Sequence, residues 1–192
     1  MPTFTLHTPE TAPPASRDAM AAVTRKFGFL PNLIREMAEA PATVKGYLGL
    51  GELLEQTSLS PVEQQLVLAS VSLANTCEYC VAAHTAGLRQ AGLPAEELDA
   101  FRQGRPLADP KLEALRAFTV EVVETRGRPA RDALGAFRTA GHGNRQILEV
   151  ILAVGMKTIS NYVNHLADTP LDRELRAFAW TAGDRLQASP AS

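Results

Sequence analysis

The sequence predicts an all-α protein, and three observations lead there. Thirteen prolines and thirteen glycines punctuate the chain at intervals of helical length. The stretches they leave are rich in Ala, Leu, Glu, Gln and Arg, with few β-branched alternations. Several of those stretches open on residues that satisfy the free N–H groups of a first helical turn. Nothing reads as a strand.

Residues 1–15 hold four prolines and no apolar core segment, so they are expected to form a flexible or loosely docked arm rather than a signal peptide. Helices are expected over 16–27, 31–39 and 42–56, each bounded by Gly or Pro. Ser60-Pro61-Val62-Glu63 places a capping Ser, a Pro at the first helical position and a Glu three residues after the cap, which starts a helix over 61–74. Asn75 or Thr76 is expected to cap the next, over 77–91. Further helices are expected over 95–103, 110–126 (entered through Asp109-Pro110), 130–139, 144–167 and 171–186 (entered through Thr169-Pro170). Residues 188–192 read as a tail, which leaves one domain over 16–187.

A chain of 192 residues is long enough to bury a substantial core. Nineteen Lys and Arg against 21 Asp and Glu give a net charge of −2 and no basic stripe, so nucleic acid is not an expected partner. The most apolar stretch, Leu66 to Ala74, is far shorter than the roughly 20 residues of a membrane span, so no membrane partner is expected. Two cysteines exclude a disulfide scaffold and make the cytoplasm the default location. Shifting the sequence by 81 residues aligns Gln65–Ala86 with Gln146–Ala167 without a gap, matching Gln65 with Gln146, His84 with His165 and Ala86 with Ala167. This self-match suggests two related helical repeats, roughly 30–91 and 110–172.

The strongest chemical signal is Cys77-Glu78-Tyr79-Cys80-Val81-Ala82-Ala83-His84. At 100° per residue Cys77, Cys80 and His84 fall at about 0°, 300° and 340°, on one helical face. An i, i+3 spacing brings two Cα atoms to roughly 5.5 Å, a distance a disulfide spans. Unsatisfied N–H groups of a first turn favour thiolate over thiol. His84, one turn beyond Cys80, is placed to take or return its proton, and Cys77 has no such neighbour. Cys80 is therefore expected to attack, although Cys77 lies nearer the helix N-terminus. A peroxide reductase needs such parts: a thiolate to attack the O–O bond, a proton source for the leaving oxygen and a second thiol to resolve the sulfenic acid. The chemistry calls for no cofactor. Its partners would be a hydroperoxide and a dithiol reductant.

Other readings of the pair stay open. Two inert buried cysteines are the bland one. A zinc site fits the CxxC spacing, but only His7, His142 and His165 remain alongside His84 as histidine ligands. A general disulfide oxidoreductase and a non-catalytic redox sensor keep the pair without peroxide turnover.

The segment LSPVEQQLVLASVSLANTCEYCVAAHTAG (59–87) resembles the signature of the carboxymuconolactone decarboxylase superfamily, in its alkylhydroperoxidase D-like branch. GRPLADPKLEALRAF (104–118) and TISNYVNHLADTPLD (158–172) resemble the longer, peroxidase-related members. The resemblance implies an all-α fold of two related halves, homo-oligomerisation, thiol-dependent hydroperoxidase activity and reduction by a lipoyl-bearing protein. It makes Cys80 peroxidatic and Cys77 resolving, and maps His84 onto the motif histidine of the proton relay. A lactone decarboxylase, suggested only by the superfamily name, should not need a CxxC. Two positions depart from the pattern. The family's upstream glutamate, twelve residues before the first cysteine, is Gln65 here, and Glu63 is the nearby carboxylate that could replace it. The residue between the cysteines that is histidine in the type enzyme is Tyr79.

Weaker candidates complete the set. Tyr79 falls opposite the cysteines and reads as packing. His165 reads as a helix histidine, and Asn161, Tyr162 and Asn164 as a polar network or an interface. Glu149, in an apolar run, needs a partner or serves as a relay group. Arg126, Arg128 and Arg131 read as a solvated loop, and His142 as a connector.

Overall fold

The computed structural model describes residues 4–186, so the expected tail over 188–192 and the first three residues of the expected arm lie outside it. Nine α-helices follow the sequence expectation closely: α1 (Pro14–Phe27), α2 (Asn32–Met37), α3 (Pro41–Glu55), α4 (Pro61–Ala74), α5 (Glu78–Gln90), α6 (Ala95–Arg102), α7 (Pro110–Glu124), α8 (Arg131–Thr139) and α9 (Asn144–Ala167). Among the described residues there is no strand.

Two helices organise the molecule. α4 is apolar around most of its circumference and buried from Leu66 to Leu73, packed by α5, α7 and α9. Its two interior serines, Ser70 and Ser72, donate to the carbonyls of Leu66 and Leu68 at 2.7 and 2.8 Å, which removes the cost of burying a free hydroxyl. The Ser60–Glu63 capping box is present as expected, with Glu63 accepting from the Ser60 N–H at 2.8 Å. α9, 24 residues long, crosses α3, α4, α5, α2 and α7. Its inward stripe is Val150, Ala153, Met156, Lys157, Ser160, Asn161 and Asn164, which becomes more polar toward the α9 C-terminus.

Three expectations are corrected. Residues 4–13 are docked rather than free: Arg35 donates to the carbonyls of His7 and Leu6, and His7 Nε2 meets Glu39 at 2.5 Å. The helix expected over 171–186 is a 3-10 turn (Arg173–Phe178) and a short α10 (Ala182–Leu186). Tertiary bonds explain the break. Asp172 accepts from the Asn32 N–H and the Tyr79 hydroxyl, and Arg102 donates to the carbonyls of Phe178 and Ala179. The 81-residue self-match pairs unlike structures, because Gln65–Ala86 folds as the hairpin α4–α5 whereas Gln146–Ala167 is one unbroken helix.

Glu149 is a pairing group. Its carboxylate accepts from the Ser58 N–H (2.8 Å), the Ser58 hydroxyl (2.7 Å) and Arg145 Nε (3.0 Å), tying the loop before α4 to α9. His142, more than a connector, is buried and stacks on Phe137 with ring centroids 4.5 Å apart. Burial pushes the Glu149 carboxyl up, but the Ser58 and Arg145 donors outweigh it and hold the group below the ordinary glutamate value. A lowered folded pKa contributes stability at neutral pH that fades as pH falls below about 4.5. Glu149→Gln is therefore expected to cost about 1–3 kcal/mol at pH 7 and to flatten the acid limb of the stability curve, measured by urea denaturation across pH.

Candidate active site

The turn between α4 and α5 sets the position of the first cysteine. α4 ends at Asn75, Thr76 adopts a left-handed conformation (φ 55°), and the N–H groups of Thr76 and Cys77 reach back to the carbonyls of Leu73 and Ser72 at 3.1 and 2.9 Å. This is a Schellman closure with a β-branched residue where glycine is usual, a strained choice directly beside the site. Asn75 and Thr76 thus close α4, and Cys77 itself, in extended conformation (φ −89°, ψ 94°), stands at the N-cap of α5. Cys80 follows in the first turn, among the helix's free N–H groups.

Neither cysteine is in a disulfide, and both residues are 1% exposed. Asn164 of α9 donates through Nδ2 to Cys80 Sγ at 3.1 Å and lies 3.6 Å from Cys77 Sγ. Ser160 Oγ stands 4.0 Å from Cys80 Sγ. Asn161 accepts from Asn75 Nδ2 at 2.9 Å, and its own Nδ2, like Asn164 Oδ1, is buried without a hydrogen-bond partner. The polar stretch of α9 therefore faces the cysteine pair and leaves one amide donor and one amide acceptor unused beside it.

The two thiols are driven apart in acidity. Burial raises Cys80, but the Cys77 thiol donates to it and the Lys157 ammonium lies against it, and together these pull Cys80 well below an ordinary thiol. Cys77 is pushed far up, chiefly because its proton is held in that bond to Cys80. Of the two, Cys80 is the group favoured as thiolate, with Cys77 favoured as the thiol that donates to it. His84 is half-buried, and its Nδ1 meets Gln65 Oε1 at 3.1 Å. Burial, reinforced by Lys157, lowers its pKa well below the ordinary value, so it is a neutral imidazole.

The structure sets Cys77 at the N-cap of α5, Cys80 in its first turn and His84 at its middle, and leaves Glu63 apart. Glu63 sits in the first turn of α4, about 200° around the helix from Gln65. Its carboxylate is engaged by Ser60 and by Lys111 Nζ at 2.9 Å. Gln65 is the residue of α4 that reaches His84. Gly87 admits it, since a Cβ there would stand 2.2 Å from Gln65 Oε1. Tyr79 is buried away from the pair, its hydroxyl donating to Asp172 at 2.5 Å. His165 and Tyr162 are exposed. Among the described residues no cluster of three or more His, Cys, Asp or Glu is arranged to hold a metal ion.

Lys157 is the site residue that motif reading missed. A signal for it exists: a lone lysine falls in register with Val150, Ala153, Ser160, Asn161 and Asn164, the stripe of α9 that faces the core.

Two thiols poised at the first turn of a buried helix, on an all-α scaffold, define a class of dithiol helical proteins. Residues 36–121, which hold both cysteines, match the model of the carboxymuconolactone decarboxylase family. Over 90% of this chain and 93% of the other, the fold matches an alkylhydroperoxidase AhpD core, an uncharacterised peroxidase-related protein from Ralstonia eutropha JMP134 (TM-score 0.79, 20% identity). A peroxidase-related protein from Silicibacter sp. TM1040 matches over 90% and 91% (TM-score 0.75, 19% identity). The debrominase Bmp8 matches over 93% and 96% (TM-score 0.76, 18% identity). No match is found among curated protein sequences.

Removing the Asn164 donor isolates its share of the thiolate's stability. In Asn164→Ala the pH midpoint of Cys80 alkylation by iodoacetamide is expected to rise by about one to two pH units, the worth of a hydrogen bond to a charged group. An unchanged midpoint would show that Asn164 only packs against the sulfur.

Proposed function

We propose that this protein is a thiol-dependent hydroperoxide reductase in which Cys80 attacks and Cys77 resolves. The observation that carries the reading is the geometry of the pair: two buried cysteines outside any disulfide stand at the start of α5, and Asn164 Nδ2 lies 3.1 Å from Cys80 Sγ and 3.6 Å from Cys77 Sγ, an arrangement that favours a Cys80 thiolate. The Cys80 thiolate attacks the distal oxygen of the hydroperoxide, the O–O bond breaks, and the alkoxide leaves as alcohol once protonated. Cys77 then displaces hydroxide from the Cys80 sulfenic acid, giving a disulfide and water. The unused Asn161 donor and Asn164 acceptor complement the oxygen lone pairs and the O–H of a hydroperoxide. Neutral His84, its Nδ1 occupied by Gln65 and its ring half-buried, carries protons between the pair and solvent.

A dithiol restores the pair, and a lipoyl-bearing protein is the proposed donor. Self-association is part of the same reading, supported by Leu148, Ile151, Tyr162 and Leu166, which α9 leaves 50–74% exposed. Among the described residues no helix is long and apolar enough to cross a membrane.

The debrominase neighbour supports a second reading, reductive dehalogenation. One of its structures is of a cysteine-to-alanine variant in complex with 2,3,4-tribromopyrrole. In that reading the Cys80 thiolate takes the bromine as a sulfenyl bromide while the ring carbon takes a proton in its place, and Cys77 then displaces bromide to give the disulfide.

Peroxide consumption with a dithiol donor separates the roles. Cys77→Ser is expected to react once and stop, with a sulfenic acid trapped on Cys80. Cys80→Ser is expected to lose the first reaction altogether. A stable sulfenic acid on Cys77 in the Cys80→Ser protein, formed at the wild-type rate, would reverse the assignment. Dehalogenation of a bromopyrrole without peroxide turnover would favour the second reading.

A further inference from the structure

Lys157 is 1% exposed on a 24-residue helix, and a buried ammonium needs an anion. Among the described residues no carboxylate pairs with it, since the ion pairs of the molecule all engage other cations. The helices packed against α9 offer few titratable groups. Tyr47 comes from α3; Cys77, Cys80 and His84 come from α5 and its cap. Glu36 of α2 is taken by Thr169, Glu63 of α4 by Ser60 and Lys111, and Glu113 of α7 by Arg116. Burial keeps the Tyr47 phenol neutral, and His84 is a neutral imidazole. Cys80 is the anion left. Ser160 and Asn164, one and two turns along the same stripe of α9, stand 4.0 and 3.1 Å from its sulfur, which places Lys157 at the same end of the site.

We propose that Lys157 is both the counter-ion of the Cys80 thiolate and the acid that protonates the leaving oxygen. The counter-ion role starts from the burial of Lys157 and its register with Ser160 and Asn164 on α9; the acid role rests on the hydroperoxide reading above. In the first step the Cys80 thiolate takes the distal oxygen of ROOH as a sulfenic acid. The O–O electron pair leaves on RO⁻, and Lys157 gives that oxygen its proton. The products are sulfenic acid, alcohol and a neutral amine, so charge and atoms balance.

Coulomb coupling times the transfer. While the thiolate is present it holds the ammonium protonated; when attack consumes that charge, a buried ammonium has no partner and becomes a strong donor. His84 cannot fill this role, because it carries no spare proton at rest. When a dithiol later reduces the disulfide, one of its protons returns to Cys77 and the other to Lys157, restoring the ion pair.

The test uses the full chain carrying Cys77→Ser, so that a single sulfur titrates, with Lys157→Met and Lys157→Arg added separately. Circular dichroism checks that each folds; methionine removes the buried charge at similar length, and arginine keeps it. Thiolate absorbance against pH reads the counter-ion role. The midpoint is expected to rise by about 1–3 pH units in Lys157→Met and to stay near the parent value in Lys157→Arg. An unmoved midpoint in Lys157→Met overturns it.

The single-turnover rate of sulfenic acid formation from an alkyl hydroperoxide, measured where Cys80 is fully ionised in every variant, reads the acid role. Arginine holds its proton too tightly to donate it. Both variants are therefore expected to be slower by about 10²-fold or more. A wild-type rate in Lys157→Arg overturns the acid role. If the parent does not react with hydroperoxide at all, the proposed function falls and the acid role with it, while the titration still decides the counter-ion.

Discussion

A positive charge sits in the interior where α9 crosses the start of α5, and the site is arranged around it. Among the described residues no carboxylate answers Lys157, and on the proposal above the neutralising charge comes from sulfur. That pairing makes the first turn of α5 chemically unlike an ordinary buried turn: one thiol gives up its proton, its partner keeps its own in a bond to the first, and the nearby imidazole is discharged. A reactive nucleophile is thus kept 1% exposed at no cost in unpaired charge. Strain at Thr76 and the orphaned amide atoms of Asn161 and Asn164 cluster at the same place, as functional sites commonly store them.

The rest of the fold supplies rigidity to that crossing. α4 is buried almost all round and anchors the hairpin whose turn fixes Cys77. The Glu149 contacts with Ser58 and Arg145 hold α9 against the loop that begins α4. On the far side of α5, the Tyr79 hydroxyl and the Asn32 N–H converge on Asp172, so the C-terminal segment braces the helix from the face opposite the sulfurs.

Much of this was legible in the sequence, and the parts that were not have physical reasons. Proline and glycine spacing placed nine helices within a few residues, because those residues act locally. The 171–186 segment misled for the opposite reason: its helix is broken by side chains from α2, α5 and α6, which no local pattern encodes. The CxxCxxxH spacing singled out Cys77, Cys80 and His84, and the structure sets all three on α5 and its cap. Glu63 misled because two residues turn a helix by about 200°, so its carboxylate leaves α4 on another face, where Ser60 and Lys111 engage it, while Gln65 is the residue that meets His84. Lys157 was hidden by its distance in sequence, 77 residues beyond Cys80. It could have been read only as a lysine out of place on an apolar stripe.

The central claim is that the pair turns over with hydroperoxide, and intact mass analysis during catalysis tests it most directly. With limiting alkyl hydroperoxide, each equivalent consumed should convert one reduced chain to a form two hydrogens lighter, with Cys77 bonded to Cys80. Added dithiol should return the original mass through many cycles. Hydroperoxide consumption that leaves the pair reduced, or oxidation that stops at an over-oxidised Cys80 that dithiol cannot recover, would contradict the account.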